Sequence, residues 1–146
     1  MPTPRPVAGS VGWCASSLHA VSAFSVHTQA RATDSPRPAN LYGATKAWAE
    51  ALGAWVAATT PTSVVAVRIG YFAEHAPDPD TVPAKEASAW LSPRDAAELV
   101  CAAVEADGFT FLVANGISAN RYRRADLSDT MQQLNYQPVD DAWSSR

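Results

Sequence analysis

The 146-residue sequence lacks most features that mark specialised chains. It has two cysteines, Cys14 and Cys101, far apart in apolar contexts. That is too few for a disulfide framework, and two buried thiols are the expected state. Its cysteines and three histidines form no CxxC or HxxxH spacing, so no metal site is expected. No apolar run approaches the roughly 18 residues of a membrane helix. The N-terminal MPTPRPVAGS has no apolar core of the signal-peptide kind, and residues 1–10 read as a loose, proline-bearing segment. Charged residues make up 17% and the net charge is -3, so no basic face invites nucleic acid or anionic lipid. The cytoplasm is the expected location.

What is present is the composition of one folded domain, 47% hydrophobic, in an alternating order of elements. Residues 11–16 (VGWCAS) read as a buried strand. Residues 41–59 form an alanine-rich helix stopped by Pro61, with Ala47, Leu52, Trp55 and Val56 on its expected core face. Residues 63–69 (SVVAVRI) are β-branched and continuous, as in a strand covered on both faces. A proline-bearing loop spans 70–89. Ser92, Pro93 and Asp95 announce a helix running to about Ala106. A strand at 109–114 and a helix at about 127–134 close the chain. The alternation predicts an α/β fold with a largely parallel sheet and flanking helices, whose chemistry gathers beyond the carboxyl ends of the strands.

One constellation carries chemistry. Tyr42 and Lys46 stand in YxxxK spacing at the start of the long helix, and residues four apart share a helix face. A tyrosine is a weak base at neutral pH, and a neighbouring cation favours its phenolate. Such a pair moves a proton through the phenol, with the lysine tuning it. The five tryptophans and the Arg121–Arg124 run read as packing residues and a solvated face respectively, and His27 and His75 as solvated.

The surroundings of the pair sharpen the reading. Ser16-Ser17 closes the first strand, 25 residues before Tyr42. Asn40-Leu41-Tyr42-Gly43-Ala44-Thr45-Lys46 follows, with Glu50 one turn on, and the next strand ends in Arg68-Ile69-Gly70. In order and spacing this resembles the extended short-chain dehydrogenases of the NAD-dependent epimerase/dehydratase family. Trp90-Leu91-Ser92-Pro93-Arg94-Asp95, Gly116-Ile117-Ser118-Ala119-Asn120 and the stretch from Asn135 to Ala142 are similar to the branch that includes uronate dehydrogenases. The resemblance implies a Rossmann-like parallel sheet and NAD or NADP as cofactor. It also implies a sugar or sugar-acid substrate and a redox or epimerase reaction.

By the same resemblance the catalytic residues are Tyr42, Lys46 and Ser17. Tyr42 carries the proton, Lys46 holds the nicotinamide ribose and Ser17 hydrogen-bonds the reacting oxygen. Tyr42, Lys46, Ile69 and Tyr71 are the implied cofactor contacts, and Ser17, His19, Tyr71 and Lys85 the implied substrate contacts. Three positions depart from the branch. Leu18 stands where it commonly has asparagine, Tyr71 where it has serine, and Lys85 at the place of an arginine that grips the uronate carboxylate. Lysine keeps that charge without the two-pronged geometry.

Family members begin with a strand, a GxxGxxG turn and a helix that receives the pyrophosphate. The seven glycines here nowhere form that pattern after a strand. The expectation is a partial Rossmann-like sheet, with residues 11–146 as the catalytic and substrate-binding part and the nucleotide-binding half absent. Weak NAD binding would follow from the absent pyrophosphate site, and poor solubility or association with a complementary chain from an exposed sheet edge and apolar face. A homo-oligomer is a further expectation. The alternative reading is a chain that has lost catalysis and persists as a remnant or as a binding or assembly module.

Overall fold

The computed structural model describes residues 28–144 in full and residues 11–17 by their backbone. Three parallel strands form the central sheet: β1 (Val11–Ser17), β2 (Ser63–Ile69) and β5 (Phe111–Gly116), in the order β1-β2-β5. The helix α1 (Leu41–Thr59) joins β1 to β2. The path from β2 to β5 carries β3 (Tyr71–Phe72), α2 (Ala84–Ala87), β4 (Trp90–Leu91) and α3 (Pro93–Glu105). The helix α4 (Ser128–Leu134) follows β5. The expected α/β architecture is thus present, with the two longest connections helical.

Side-chain alternation along β2 assigns the helices to its two faces. Arg68 points to α1, where it meets Glu50. Val67 and Ile69 point the other way and line an apolar groove with Leu99 and Val104 of α3. Both connections step across the sheet in the same direction, yet their helices lie on opposite faces. One crossover is therefore left-handed, an arrangement that right-handed connections outnumber by roughly fifty to one.

Local chemistry explains the helix limits. Asn40 caps α1 by accepting a hydrogen bond from the Gly43 N–H at 2.8 Å. Ser92 caps α3 by accepting from the Asp95 N–H at 3.0 Å, with Pro93 in the first turn. Asn135 ends α4 in the left-handed conformation, at φ 55°.

The structure corrects the expected core face of α1. Its buried residues are Gly43, Glu50, Gly53 and Ala57, whereas Leu52 and Trp55 are exposed. A Cβ at Gly53 would lie 3.2 Å from Val64 Cγ1, so at that turn the helix sits close against the sheet and favours a small residue. Trp48 and Trp55 are exposed rather than packed. Cys101 is exposed too, because α3 turns Leu99 and Ala103 inward and a residue two positions from each falls on the opposite side. Cys14 and His27 lie outside the residues whose side chains are described. The strand expected at 109–114 runs from Phe111 to Gly116, and the expected loop 70–89 contains β3 and α2.

Among Gly53, Gly70, Gly108 and Gly116, Gly70 has the tightest surroundings. A Cβ there would overlap the Ala89 carbonyl oxygen and lie 2.6 Å from Ile117 Cγ2. Gly70→Ala should therefore destabilise the chain by about 1–3 kcal/mol, the range for overpacking. Chemical denaturation monitored by circular dichroism checks this, and an unchanged midpoint would contradict it.

Candidate active site at the carboxyl edge

The parallel register aligns Ser17 with Ile69 and Ile69 with Gly116. These three residues form one row at the carboxyl edge of the sheet, with neighbouring backbones about 4.8 Å apart. Beyond Ile69 the chain passes Gly70, whose N–H donates to the Gly116 carbonyl at 2.9 Å. It then enters β3, where the Tyr71 N–H donates to the Ala89 carbonyl at 2.7 Å. Helix α1 runs back down from the same edge, so its first turns stand beside this row.

Tyr42 and Lys46 are on those turns. The Lys46 Nζ lies 5.5 Å from the centroid of the Tyr42 ring, within the range of a cation–π contact. Tyr42 is 58% exposed, so its phenol is open to a ligand. Tyr71 is half-buried beside the row, and Lys85 is exposed on α2. Ser17 is placed by its backbone only, and His19 lies outside the described residues. The structure thus brings Tyr42 together with Lys46, and Ser17 into register with Ile69, while Lys85 sits on a separate short helix.

Beneath the pair lies a buried ion pair that sequence reading quoted only as part of a motif. The Arg68 Nε and Nη2 donate to the two carboxylate oxygens of Glu50 at 2.8 and 2.9 Å. Its remaining donors reach the carbonyls of Arg31 and Ala32 from Nη1, at 3.2 and 3.1 Å, and of Asp34 from Nη2, at 3.0 Å. All five guanidinium N–H groups are thereby used. One side chain at the end of β2 ties α1 to the segment that leads into it. The signal was available: a charged residue inside a strand covered on both faces demands a partner, and Glu50 is the only acid in α1.

The same edge is knitted by amides and carboxylates. The Asn115 Nδ2 donates to the carbonyls of Ala30 and Asp126, each at 3.0 Å. Asp95, at the start of α3, accepts from the Val139 and Asp140 N–H groups at 3.0 Å. Asp140 in turn accepts from the Ser92 hydroxyl at 2.6 Å and pairs with Arg94. Asn120 donates to the Trp90 carbonyl and accepts from the Ala142 N–H. The segments singled out by resemblance, at 90–95, 116–120 and 135–142, are therefore mutual hydrogen-bonding partners. Burial pushes the Tyr136 phenol well above its ordinary range, and its hydroxyl donates to the Ile117 carbonyl at 3.0 Å. Tyr136 is a neutral strut rather than a proton carrier. Arg121 and Arg123 are exposed, as expected of a solvated face, whereas Arg124 is half-buried and burial lowers its pKa.

A parallel sheet flanked on both faces, with a Tyr-Lys helix rising beside its carboxyl edge, defines a Rossmann-like dehydrogenase fold. Solved structures agree. The chain superimposes on uronate dehydrogenase from Agrobacterium tumefaciens with a TM-score of 0.79 and 26% identity, covering 90% of this chain and 47% of that one. For glucuronic acid dehydrogenase from Chromohalobacter salexigens the TM-score is 0.78 at 25% identity, with 90% and 47% covered.

Sequence relatives point the same way. The chain is 34% identical over 140 residues to the NAD-dependent glucose-6-phosphate dehydrogenase of Haloferax volcanii, which covers 88% of this chain and 52% of that protein. It is 34% identical over 117 residues to the L-arabinose 1-dehydrogenase (NAD(P)(+)) of the same organism, covering 75% and 46%. No protein-family profile matches the chain. The chain spans about half the length of the curated relatives it matches. Its relatives are NAD- or NAD(P)-linked sugar dehydrogenases and its structural neighbours uronate dehydrogenases, as the resemblance implied.

Proposed function

We propose that residues 11–146 are the catalytic and substrate-binding part of an NAD(P)-dependent oxidoreductase or epimerase acting on a sugar or sugar acid. The observation that carries this reading is the exposed Tyr42 phenol with the Lys46 ammonium 5.5 Å from its ring centroid, beside the carboxyl edge of a parallel sheet. The chemistry of this donor set fits the nicotinamide-ribose end of the cofactor, since an ammonium and an exposed phenol stand on one helix face. When bound, the nicotinamide accepts or returns the hydride.

The remaining work falls to this chain. Tyr42 exchanges the proton of the reacting hydroxyl as general acid and base. Lys46 holds the ribose hydroxyls and places positive charge beside the phenol. Ser17 orients the reacting oxygen from the end of β1. Ile69 and Tyr71, at the end of β2 and just beyond, flank the cofactor, and Tyr71 with His19 and Lys85 contacts the substrate. The intact protein is expected in the cytoplasm as a homo-oligomer.

Activity is tested by fusing this chain to the part of the Haloferax volcanii glucose-6-phosphate dehydrogenase that it does not match. The fusion should reduce NAD with a sugar or uronate. Absence of turnover from a folded, NAD-binding fusion would overturn the proposal. The same protein reads the substrate. If it is a uronate, Lys85→Ala should remove a charge-assisted contact worth about 1.5–3 kcal/mol. That loss should appear mainly in KM, with the neutral sugar unaffected. An unchanged uronate-to-neutral preference would leave Lys85 a solvated charge.

A further inference from the structure

A second gathering of charge uses side chains that the proposed reaction does not. Beyond β5 the chain lays residues 124–126 beside residues 29–31. The Ala30 N–H donates to the Arg124 carbonyl at 3.0 Å and the Asp126 N–H to the Ala30 carbonyl at 2.9 Å, making a parallel bridge between Ala30 and Ala125. Both alanines are buried in the main core. Side chains alternate along extended chain, so Arg31, Arg124 and Asp126 turn out together on the opposite face. Arg123 adjoins them, its carbonyl held by the Gln29 side-chain amide at 3.0 Å.

Three guanidinium groups thus share a face with one carboxylate, in a chain whose net charge is -3. That carboxylate is already engaged. Hydrogen bonds from the Ser128 side chain and backbone hold the Asp126 carboxyl below its ordinary range, and the charges of Arg31 and Arg123 lower it further. A second acid, Asp34, accepts from the backbone N–H of Arg31 at 2.8 Å. Among the described residues neither Arg31 nor Arg123 forms a salt bridge. Both are exposed, while Arg124 is half-buried between them and the core. A cation partly stripped of water gains from an anion beside it.

We propose that this face binds a phosphate-class oxyanion, either the free ion or the terminal group of a phosphomonoester. Arginine suits such a ligand, because its planar fork donates paired hydrogen bonds and stays charged. Forks from two separate segments reach the ion from different directions, as a tetrahedral group with oxygens on every side requires. A long polyanion fits poorly, since Asp34 and Asp126 border the arginines and repel further negative charge. The bound ion ties residues 29–31 to residues 123–126. The carbonyls of Arg31 and Ala32 accept from Arg68, so the added restraint extends to the end of β2.

Titration calorimetry of the full 146-residue chain with inorganic phosphate tests the proposal, at an ionic strength fixed with chloride. Phosphate should bind with a Kd below about 1 mM, and the melting temperature should rise as the site fills. Arg31→Ala and Arg123→Ala should each weaken binding at least about 10-fold. Both side chains are exposed, so circular dichroism should show an unchanged fold. Asp126→Asn should tighten binding, because it removes a repelling charge and keeps an oxygen for the Ser128 N–H. Glycerol 3-phosphate separates the two sources. Its binding assigns the site to a terminal monoester, and its failure beside bound inorganic phosphate assigns it to the free ion. A chain that binds no phosphate at this ionic strength would overturn the proposal. Binding indifferent to both arginine changes, or weakened by Asp126→Asn, would overturn it equally.

Discussion

Tyr42→Phe, introduced into the fusion enzyme, is expected to lower kcat by about 10²–10⁴-fold, the usual contribution of a positioned acid–base group. Removing one oxygen takes away the proton carrier and leaves the ring, which still packs beside Lys46. Because the phenol is exposed and outside the core, the melting temperature should be unchanged. KM should change little if the hydroxyl acts mainly in the transition state. Steady-state rates of NADH formation, measured with the stability of the same preparation, separate this outcome from unfolding. Full activity in Tyr42→Phe would assign proton transfer to another group.

Glu50→Ala should produce the largest loss of stability of any single change proposed. The carboxylate is buried, and both its oxygens accept from Arg68. Its removal leaves a guanidinium in the interior with only three carbonyl partners. Breaking one side of a buried pair costs roughly 3–5 kcal/mol, because the surviving charge has no compensation. The loss should spread beyond α1, since Arg68 also holds the carbonyls of Arg31, Ala32 and Asp34. Hydrogen exchange should show faster opening of that segment and of the first turns of α1. Urea denaturation of the variant gives the magnitude. A loss below about 1 kcal/mol would place the pair among surface-like ion pairs.

Much of the fold was legible because its signals are local. Pro61 marks the end of α1, Ser92-Pro93 starts α3, and the unbroken SVVAVRI run is β2. The orientation of α1 was not legible. Periodicity marks an apolar stripe but cannot say whether it faces the sheet or another body. Here Gly43, Gly53 and Ala57 face the sheet, and Trp48 and Trp55 face outward. The β3–β4 pair has two residues in each strand, too few for any period to show.

At the site, the YxxxK spacing identified the Tyr42–Lys46 pair, because a four-residue step on a helix converts directly into a shared face. The role of Arg68 was hidden, because its five acceptors come from α1 and from a segment more than thirty residues upstream. Only the folded chain brings those together. The network around Asp95, Asn120 and Asp140 was hidden for the same reason, its partners being separated by 20 or more residues.

The distance from the Ser17 Oγ to the Tyr42 hydroxyl, in a crystal structure of the chain or of the fusion, tests the central claim most directly. Groups that act on one substrate oxygen must each lie within hydrogen-bond reach of it, or one water away. The two hydroxyls should therefore converge beside the Ser17–Ile69–Gly116 row. A separation beyond about 10 Å, more than any such bridge can span, would contradict the catalytic reading.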